Sequence, residues 1–148
     1  MEILLRGEPA QLAFGQRLAE IFRESCVVYL EGDLGAGKTT LVRGLLRGLG
    51  YQGIVRSPTY TLLEPYVFGN LPLYHLDLYR LTDPEELEFL GLRDLLAGPS
   101  LLFIEWPQRG AGCLPEPDLR IAFAHLPEGR LLRLRSETYR GQAALGRL

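Results

Sequence analysis

The chain has 148 residues, of which 47% are hydrophobic and 23% are charged, and its formal net charge at pH 7 is −2. These values are ordinary for a globular protein, and we predict a single domain over residues 1–148. The weak negative charge excludes a global basic field of the kind that attracts nucleic acid. Because the chain has no signal-peptide pattern and no apolar run of membrane-spanning length, a cytoplasmic protein without membrane contact is expected. Two cysteines, Cys26 and Cys113, are too few for a disulfide framework or a zinc set.

The first elements alternate between strand and helix patterns. Residues 1–5 predict a strand, and Glu8-Pro9 predicts the start of a helix, because proline suits the first helical position. The apolar face predicted for this helix consists of Leu12, Gly15, Leu18, Ala19 and Phe22. Residues 26–30 are a short, β-branched apolar run that predicts a buried strand. Residues 40–49 have apolar side chains at helical spacing, and Gly50 follows where a terminating glycine is expected.

The segment between the second strand and the second helix fits the phosphate-binding pattern G-x-x-x-x-G-K-[ST]. Its residues are Gly32, Asp33, Leu34, Gly35, Ala36, Gly37, Lys38, Thr39 and Thr40. The glycines allow a tight turn in which successive N–H groups cradle a phosphate at a helix N-terminus. Lys38, the only lysine in the chain, is predicted to reach the β- and γ-phosphates, and Thr39 to ligate Mg²⁺. A glycine-rich turn without a ligand is the alternative.

Residues 51–61 read as a polar loop punctuated by glycine and proline. Within it, Thr59 is the candidate for a hydroxyl that senses the γ-phosphate and Mg²⁺, although the residues alone leave a plain turn equally open. Residues 62–68 and 71–81 predict two strands joined as a hairpin around Gly69-Asn70.

The second of these strands carries polar side chains on one face. Alternation along the strand puts His75, Asp77 and Tyr79 on that face. Asp77 is predicted to orient a water or a Mg²⁺ ligand, or else to pair with Arg80 or another arginine. His75 is interpreted as a hydrogen-bonded structural residue rather than a metal ligand.

The next segment has the pattern of a capped helix. Asp83 is the predicted N-cap, Pro84 the first helical position and Glu86 the partner that completes a capping box. The helix is predicted to run through Leu95 and to end before Gly98-Pro99. Its acidic residues are interpreted as a solvated face, with a partner-docking surface as the alternative.

Residues 101–106 are four apolar residues followed by an acid and a tryptophan, which is the shape of a Walker B strand. Such a strand ends in a carboxylate at the edge where α/β sheets bind ligands. Glu105 is therefore predicted to hold Mg²⁺ or to polarise the attacking water. A strand-end carboxylate without a role is the alternative, and Trp106 is interpreted as packing beside the site.

The last elements predict a hairpin of residues 121–126 and 131–136, followed by a short helix. Arg130 in its turn is a candidate to reach a nucleotide. The alternative is a simple hairpin at the edge of the sheet.

Five motifs occur together in a fixed order. They are the segment 32–40, Ser57-Pro58-Thr59-Tyr60, His75-Leu76-Asp77-Leu78-Tyr79-Arg80, Asp83-Pro84-Glu85-Glu86-Leu87 and Ile104-Glu105-Trp106-Pro107. This set resembles the bacterial TsaE family, formerly YjeE, over nearly the whole chain.

The resemblance implies an α/β, P-loop NTPase-like domain whose mixed, mostly parallel sheet is flanked by helices and includes an antiparallel hairpin. It also implies an ATPase that uses ATP and Mg²⁺ and acts with the TsaD and TsaB proteins. That assembly attaches threonylcarbamoyl to the adenosine beside the anticodon of tRNA, and the ATPase does not transfer the group itself. Direct contact with tRNA is left open.

The same resemblance assigns roles to residues. The implied catalytic residues are Lys38, Thr59, Asp77 and Glu105. The implied Mg²⁺ ligands are Thr39 and Glu105. The implied nucleotide contacts are Glu8, Asp33, Leu34, Gly35, Ala36, Gly37, Lys38, Thr39, Thr40 and Arg130.

Three other functions compete with this interpretation. A small-molecule P-loop kinase would need a mobile arginine-rich lid, and the clustered late arginines lie on a predicted hairpin instead. A guanine-specific GTPase typically uses N-K-x-D, which cannot occur here because the sole lysine is Lys38. A nucleotide-gated binding module would bind ATP without turnover.

Overall fold

A computed structural model describes all of residues 1–148 as one seven-stranded sheet with helices on both faces. The strands are β1 (Glu2–Leu5), β2 (Cys26–Glu31), β3 (Leu63–Tyr66), β4 (Leu73–Asp77), β5 (Leu101–Glu105), β6 (Leu119–Leu126) and β7 (Gly129–Ser136). The helices are α1 (Gly7–Leu18), α2 (Lys38–Gly48), α3 (Glu86–Phe89), α4 (Leu92–Leu95) and α5 (Tyr139–Leu145), with a 3-10 turn at Pro107–Gly110. None of these helices has the length and apolar character needed to cross a membrane.

The strand order is β1-β7-β6-β2-β5-β4-β3. The three central pairings, β6 with β2, β2 with β5 and β5 with β4, are parallel, and the three outer pairings are antiparallel. The predicted α/β class with a mixed sheet is confirmed. The late hairpin also forms, but it does not lie at the edge, because β6 pairs with β2 and β1 covers the outer side of β7.

The sheet separates two apolar cores of unequal size. The larger has 24 buried residues from α1, α2, α5 and one face of the strands, and the smaller has eight from the α3–α4 face. All five residues of β5 are buried, as expected for a central parallel strand that is covered on both faces. β5 thus lies inside the sheet between β2 and β4, and its last residue, Glu105, lies at the carboxyl edge of the sheet.

The first helix is shorter than its apolar pattern predicts. α1 ends at Leu18, and i to i−3 hydrogen bonds from Glu20 and Ile21 tighten the chain into a turn. Phe22 still enters the larger core, where its ring meets the Phe103 ring edge-on at 5.6 Å. Gln11, absent from the predicted apolar face, is buried.

Two further boundaries differ from the sequence prediction. β4 ends at Asp77, so Tyr79 lies in the following turn and does not share a strand face with His75. The predicted helix over 83–95 is two short helices, because Gly91 adopts a left-handed conformation with φ 74° between them.

The predicted capping box is also not formed. The Asp83 side chain accepts from the N–H of Glu85 at 3.0 Å, and the Glu86 carboxylate accepts from the Thr82 hydroxyl at 2.8 Å. The box requires the Glu86 side chain to bond the backbone N–H of Asp83, but Thr82 takes that carboxylate instead.

Candidate functional site

The loop between β2 and α2 has the backbone geometry of an anion cradle. Gly32, Gly35 and Gly37 have φ values of 153°, 76° and 106°, which side-chain-bearing residues rarely adopt. No side chain caps the N-terminus of α2. The first N–H groups of an 11-residue helix, together with its dipole, are therefore available to an anion.

Gly37 also lies in close contact with a residue of α1. A Cβ at this position would collide with the side-chain amide of Gln11, whose oxygen lies directly against it. The amide of the buried Gln11 therefore lies directly against the P-loop at Gly37.

Lys38 is held under the same loop. Its side chain is only 4% exposed, and Nζ donates a hydrogen bond to the Gly32 carbonyl at 2.5 Å. The same ammonium lies 3.8 Å from Glu105 Oε1 and 4.5 Å from the centre of the Trp106 ring. Burial lowers the pKa of Lys38, while the carboxylates of Glu105, Asp77 and Asp33 oppose that shift. The lysine therefore presents a partly desolvated positive charge to the cleft.

Glu105 ends β5 directly below the start of α2. Its Oε2 accepts a hydrogen bond from the Thr39 hydroxyl at 3.4 Å and lies 2.6 Å from His75 Nε2. Glu105 is 4% exposed, so its carboxylate is fixed among these neighbours rather than solvated. Glu105 and Thr39 are therefore adjacent. The sequence predicts each of them as a Mg²⁺ ligand from a different motif.

Asp77 ends the neighbouring strand β4, in register with Glu105. Its Oδ2 accepts from the Thr59 hydroxyl at 3.3 Å, and its Oδ1 accepts from the N–H of Tyr79 at 3.0 Å. Burial raises the pKa of Asp77; the Tyr79 N–H opposes that shift and the Glu105 charge adds to it. The alternative of an ion pair with Arg80 is wrong, because the Arg80 guanidinium lies over the Tyr60 ring at 4.4 Å.

These groups line one cleft of about 260 Å³. Its residues are Leu34, Gly35, Ala36, Gly37, Lys38, Thr39, Thr40, Ser57, Thr59, Asp77 and Glu105. The structure thus brings the loop residue Thr59 to the P-loop, helped by a 2.8 Å hydrogen bond to Ser57. Asp33 is the exception among the predicted P-loop contacts, since its side chain is exposed and does not line the cleft.

A second cleft of about 280 Å³ shares Gly35, Gly37 and Thr40 with the first. Its other residues are Gly7, Glu8, Gln11, Gly129 and Arg130. Glu8 and Arg130 therefore lie on the side of the P-loop away from Asp77, although they are distant in sequence. Arg130 donates through Nη1 to the Gly129 carbonyl at 3.0 Å, and its buried Nε has no partner. Gln11 was missed by the sequence analysis, and its only signal is a polar residue one turn before the buried Gly15.

The donor set suits a magnesium ion that is shared with phosphate. No group of three or more histidine, cysteine or acidic side chains forms a closed cage. Thr39 and Glu105 instead supply adjacent hard oxygen atoms beside the phosphate cradle. Mg²⁺ is usually bound in this way, by one or two protein oxygens together with phosphate and water.

Trp106 follows Glu105 in a conformation that is rare for a tryptophan. Its φ is 56°, its ring packs at 5.0 Å from the Tyr79 ring, and its buried Nε1 has no hydrogen-bond partner. This backbone turns the chain away from β5 so that the indole faces the Lys38 ammonium. The predicted packing beside the site is confirmed.

Known proteins match the chain over most of its length. The family model described as "Threonylcarbamoyl adenosine biosynthesis protein TsaE" matches residues 5–132. A protein of Haemophilus influenzae named tRNA threonylcarbamoyladenosine biosynthesis protein TsaE is 48% identical over 140 residues, which cover 91% of this chain and 89% of its own. A protein of the same name from Treponema pallidum is 39% identical over 129 residues, covering 87% and 95%. The crystal structure of Bacillus subtilis YdiB superposes with a TM-score of 0.82 at 30% identity, covering 99% of this chain and 91% of that one.

Proposed function

Because this chain belongs to the TsaE family of threonylcarbamoyl adenosine biosynthesis proteins, we propose that it is the ATP-hydrolysing subunit of this tRNA modification. The observation that carries the ATPase proposal is the single cleft in which the P-loop meets Glu105 and Asp77. A phosphate cradle next to two strand-end acids has the parts that phosphoryl transfer to water requires.

The residues take distinct roles in this proposal. The N–H groups of residues 35–40 and the Lys38 ammonium bind the phosphates. Thr39 and Glu105 hold Mg²⁺, which when bound neutralises charge on the β- and γ-phosphates. Asp77, kept in place by the Tyr79 N–H and by Thr59, orients the attacking water.

The nucleoside occupies the adjoining cleft. Glu8 and Arg130 line that space beside Gly35 and Gly37, and the unpartnered Nε of Arg130 is a buried donor available to a ligand. The whole chain of 148 residues acts as one ATPase domain, an assignment supported by the pairing of β1 with β7 in a single sheet.

Turnover depends on partner proteins in this proposal. No arginine lines the cleft that holds Lys38 and Glu105. Charge that develops in the transition state is therefore incompletely neutralised by this chain alone. The subunit acts with TsaD and TsaB, which together with tRNA complete the modification, and it does not transfer the threonylcarbamoyl group itself.

The test measures phosphate release from Mg-ATP by the protein alone and then with TsaD, TsaB and tRNA. We expect slow release alone and a changed rate in the assembly, and Lys38→Ala should lower the rate about 100-fold or more because a charge-stabilising donor is lost. The exposed Arg93→Ala serves as the control and should keep the wild-type rate, since Arg93 meets only Glu88 on the surface.

Three results would contradict the proposal. A phosphorylated small molecule without free phosphate would identify a kinase. ATP-dependent assembly without phosphate release would identify a nucleotide-gated binding module. Wild-type turnover by a folded Lys38→Ala protein would remove the P-loop from the mechanism.

A further inference from the structure

His75 is a completely buried polar residue in direct contact with the proposed cation site. It lies in the middle of β4, opposite Phe103 of β5, and its ring reaches diagonally to the next inward-facing residue of that strand, Glu105. His75 Nε2 and Glu105 Oε2 are 2.6 Å apart. Since His75 itself does not line the cleft, it acts on bound nucleotide only through Glu105.

The neighbours of Glu105 indicate which atom of this contact donates. The Thr39 hydroxyl donates to Oε2 at 3.4 Å, and the Lys38 ammonium lies 3.8 Å from Oε1. A carboxylate oxygen that receives a hydroxyl hydrogen bond and lies near an ammonium group acts as an acceptor. His75 therefore donates through a proton on Nε2.

The other ring nitrogen makes no polar contact. His75 Nδ1 is buried and has no hydrogen-bond partner. The contact with Glu105 through Nε2 is therefore the only hydrogen bond of this ring.

We propose that His75 is a positioning residue whose Nε2–H holds the Glu105 carboxylate against Thr39, so that the oxygen ligands for Mg²⁺ are arranged before nucleotide binds. A glutamate side chain has several rotatable bonds, whereas a buried ring on a central strand is fixed by its packing. Partners of this kind behind a metal ligand set both its orientation and its basicity. The inference rests on the proposed function, since it assigns a role toward the cation of that ATPase.

The test compares three variants. His75→Gln retains a side-chain N–H donor, and His75→Leu fills the space without one. Leu73→Val, on the same strand and facing the same core, removes one methylene without touching a polar group, and it controls for packing. Calorimetric titration with ATP is performed in EDTA and then at increasing Mg²⁺, and the unfolding midpoint of each variant is recorded.

We expect His75→Leu to need a Mg²⁺ concentration about 10 to 100 times higher than the wild-type protein for the same increase in ATP affinity. The affinity for ATP in EDTA should be the same in both proteins. His75→Gln should recover most of the wild-type Mg²⁺ dependence. Leu73→Val should unfold more readily but keep that dependence. Equal Mg²⁺ dependence in wild type and His75→Leu, or an equal loss of affinity in EDTA, overturns the proposal.

A second measurement needs no variant and no nucleotide. The nitrogen–proton correlation spectrum of the histidine rings in the wild-type protein reports which nitrogen of His75 carries the proton. A proton on Nε2 supports the positioning role, and a proton on Nδ1 with none on Nε2 overturns it. The proposed function is contradicted by a different result, which is a wild-type chain that binds no ATP with or without Mg²⁺. In that case His75 has no role toward the cation, whatever the spectrum shows.

Discussion

Cys26 shows how a buried side chain outside the P-loop cleft makes the stability of this protein depend on pH. It is 2% exposed at the start of β2, and burial, with smaller contributions from the charges of Asp118 and Glu24, raises the pKa of its thiol from 9.0 to about 12. The unfolded chain therefore loses this proton near pH 9 while the folded chain keeps it. Above pH 9 the unfolded state binds fewer protons, so the free energy of unfolding falls as pH rises toward 12.

The expected size of this effect is about 1.4 kcal/mol between pH 8 and pH 10, because one pKa unit corresponds to about that free energy. Cys26→Ala removes the thiol. Between pH 8 and pH 10, the free energy of unfolding of this variant should therefore fall by about 1.4 kcal/mol less than that of the wild-type protein. Urea unfolding of both proteins at the two pH values measures the difference. Equal decreases in the two proteins would show that Cys26 ionises alike in both states.

At the residue scale, the site falls into a part that the sequence could predict and a part that it could not. The P-loop and Glu105 belong to continuous motifs, and their side chains meet because both follow parallel strands of one sheet. Gln11 and the contact between His75 and Glu105 depend on packing between segments far apart in the chain. The sequence shows a polar residue one turn before Gly15, but only the folded arrangement shows that the Gln11 amide lies against Gly37.

The contact between α1 and α2 determines the shape of the cleft that Glu8 and Arg130 line. A Cβ on Gly15 would lie 2.8 Å from the backbone nitrogen of Leu45 and 2.9 Å from the Cα of Gly44, and both atoms belong to the facing backbone. The two helices therefore pack backbone against backbone. α1 carries Glu8 and Gln11, so its distance from α2 also sets the width of that cleft.

We expect Gly15→Ala to lower the free energy of unfolding by about 1–3 kcal/mol, since backbone atoms have to move to admit the methyl group. ATP affinity should fall as well, because the displaced helix carries Glu8 and Gln11. Urea unfolding and calorimetric titration measure the two effects.

Gly98→Ala is the matched control. Its new methyl group meets nothing within 4 Å, so a change within about 0.5 kcal/mol is expected. A Gly15→Ala protein as stable as this control would show that the helices separate freely.

At the element scale, the sequence predicted the order and type of most elements better than their ends. The alternation of apolar and polar residues in the second strand of the first hairpin predicts a strand that continues past Asp77, although its pairing stops there. The leucines on both sides of Gly91 keep helical spacing, so the sequence predicts one helix where the structure has two. Both errors arise where tertiary contacts or one left-handed glycine end an element whose pattern runs on.

The two faces of the whole molecule differ in the amount of core that supports them. One face rests on 24 buried residues under long helices, and the other on eight under two helices of four residues each. Segments with few buried contacts open locally at a lower free energy than the global transition.

Hydrogen exchange measured by mass spectrometry tests this asymmetry. We expect amides of α3 and α4 to exchange about 100-fold faster than those of β2 and α2, because the short helices open without unfolding the larger core. Uniform exchange across the sheet would mean that both faces unfold as a single unit.

The strand order also constrains when this protein acquires its shape during synthesis. β2, which leads into the P-loop, is flanked by β5 and β6, and β1 finds its partner only in β7, where Glu2 lies opposite Arg133. A ribosome therefore completes the P-loop while both neighbours of its strand are still untranslated, and β1 has no partner until the last strand, β7, is made. Such long-range pairing folds slowly and late, so a nascent chain released before β7 has no finished sheet to support the P-loop cleft.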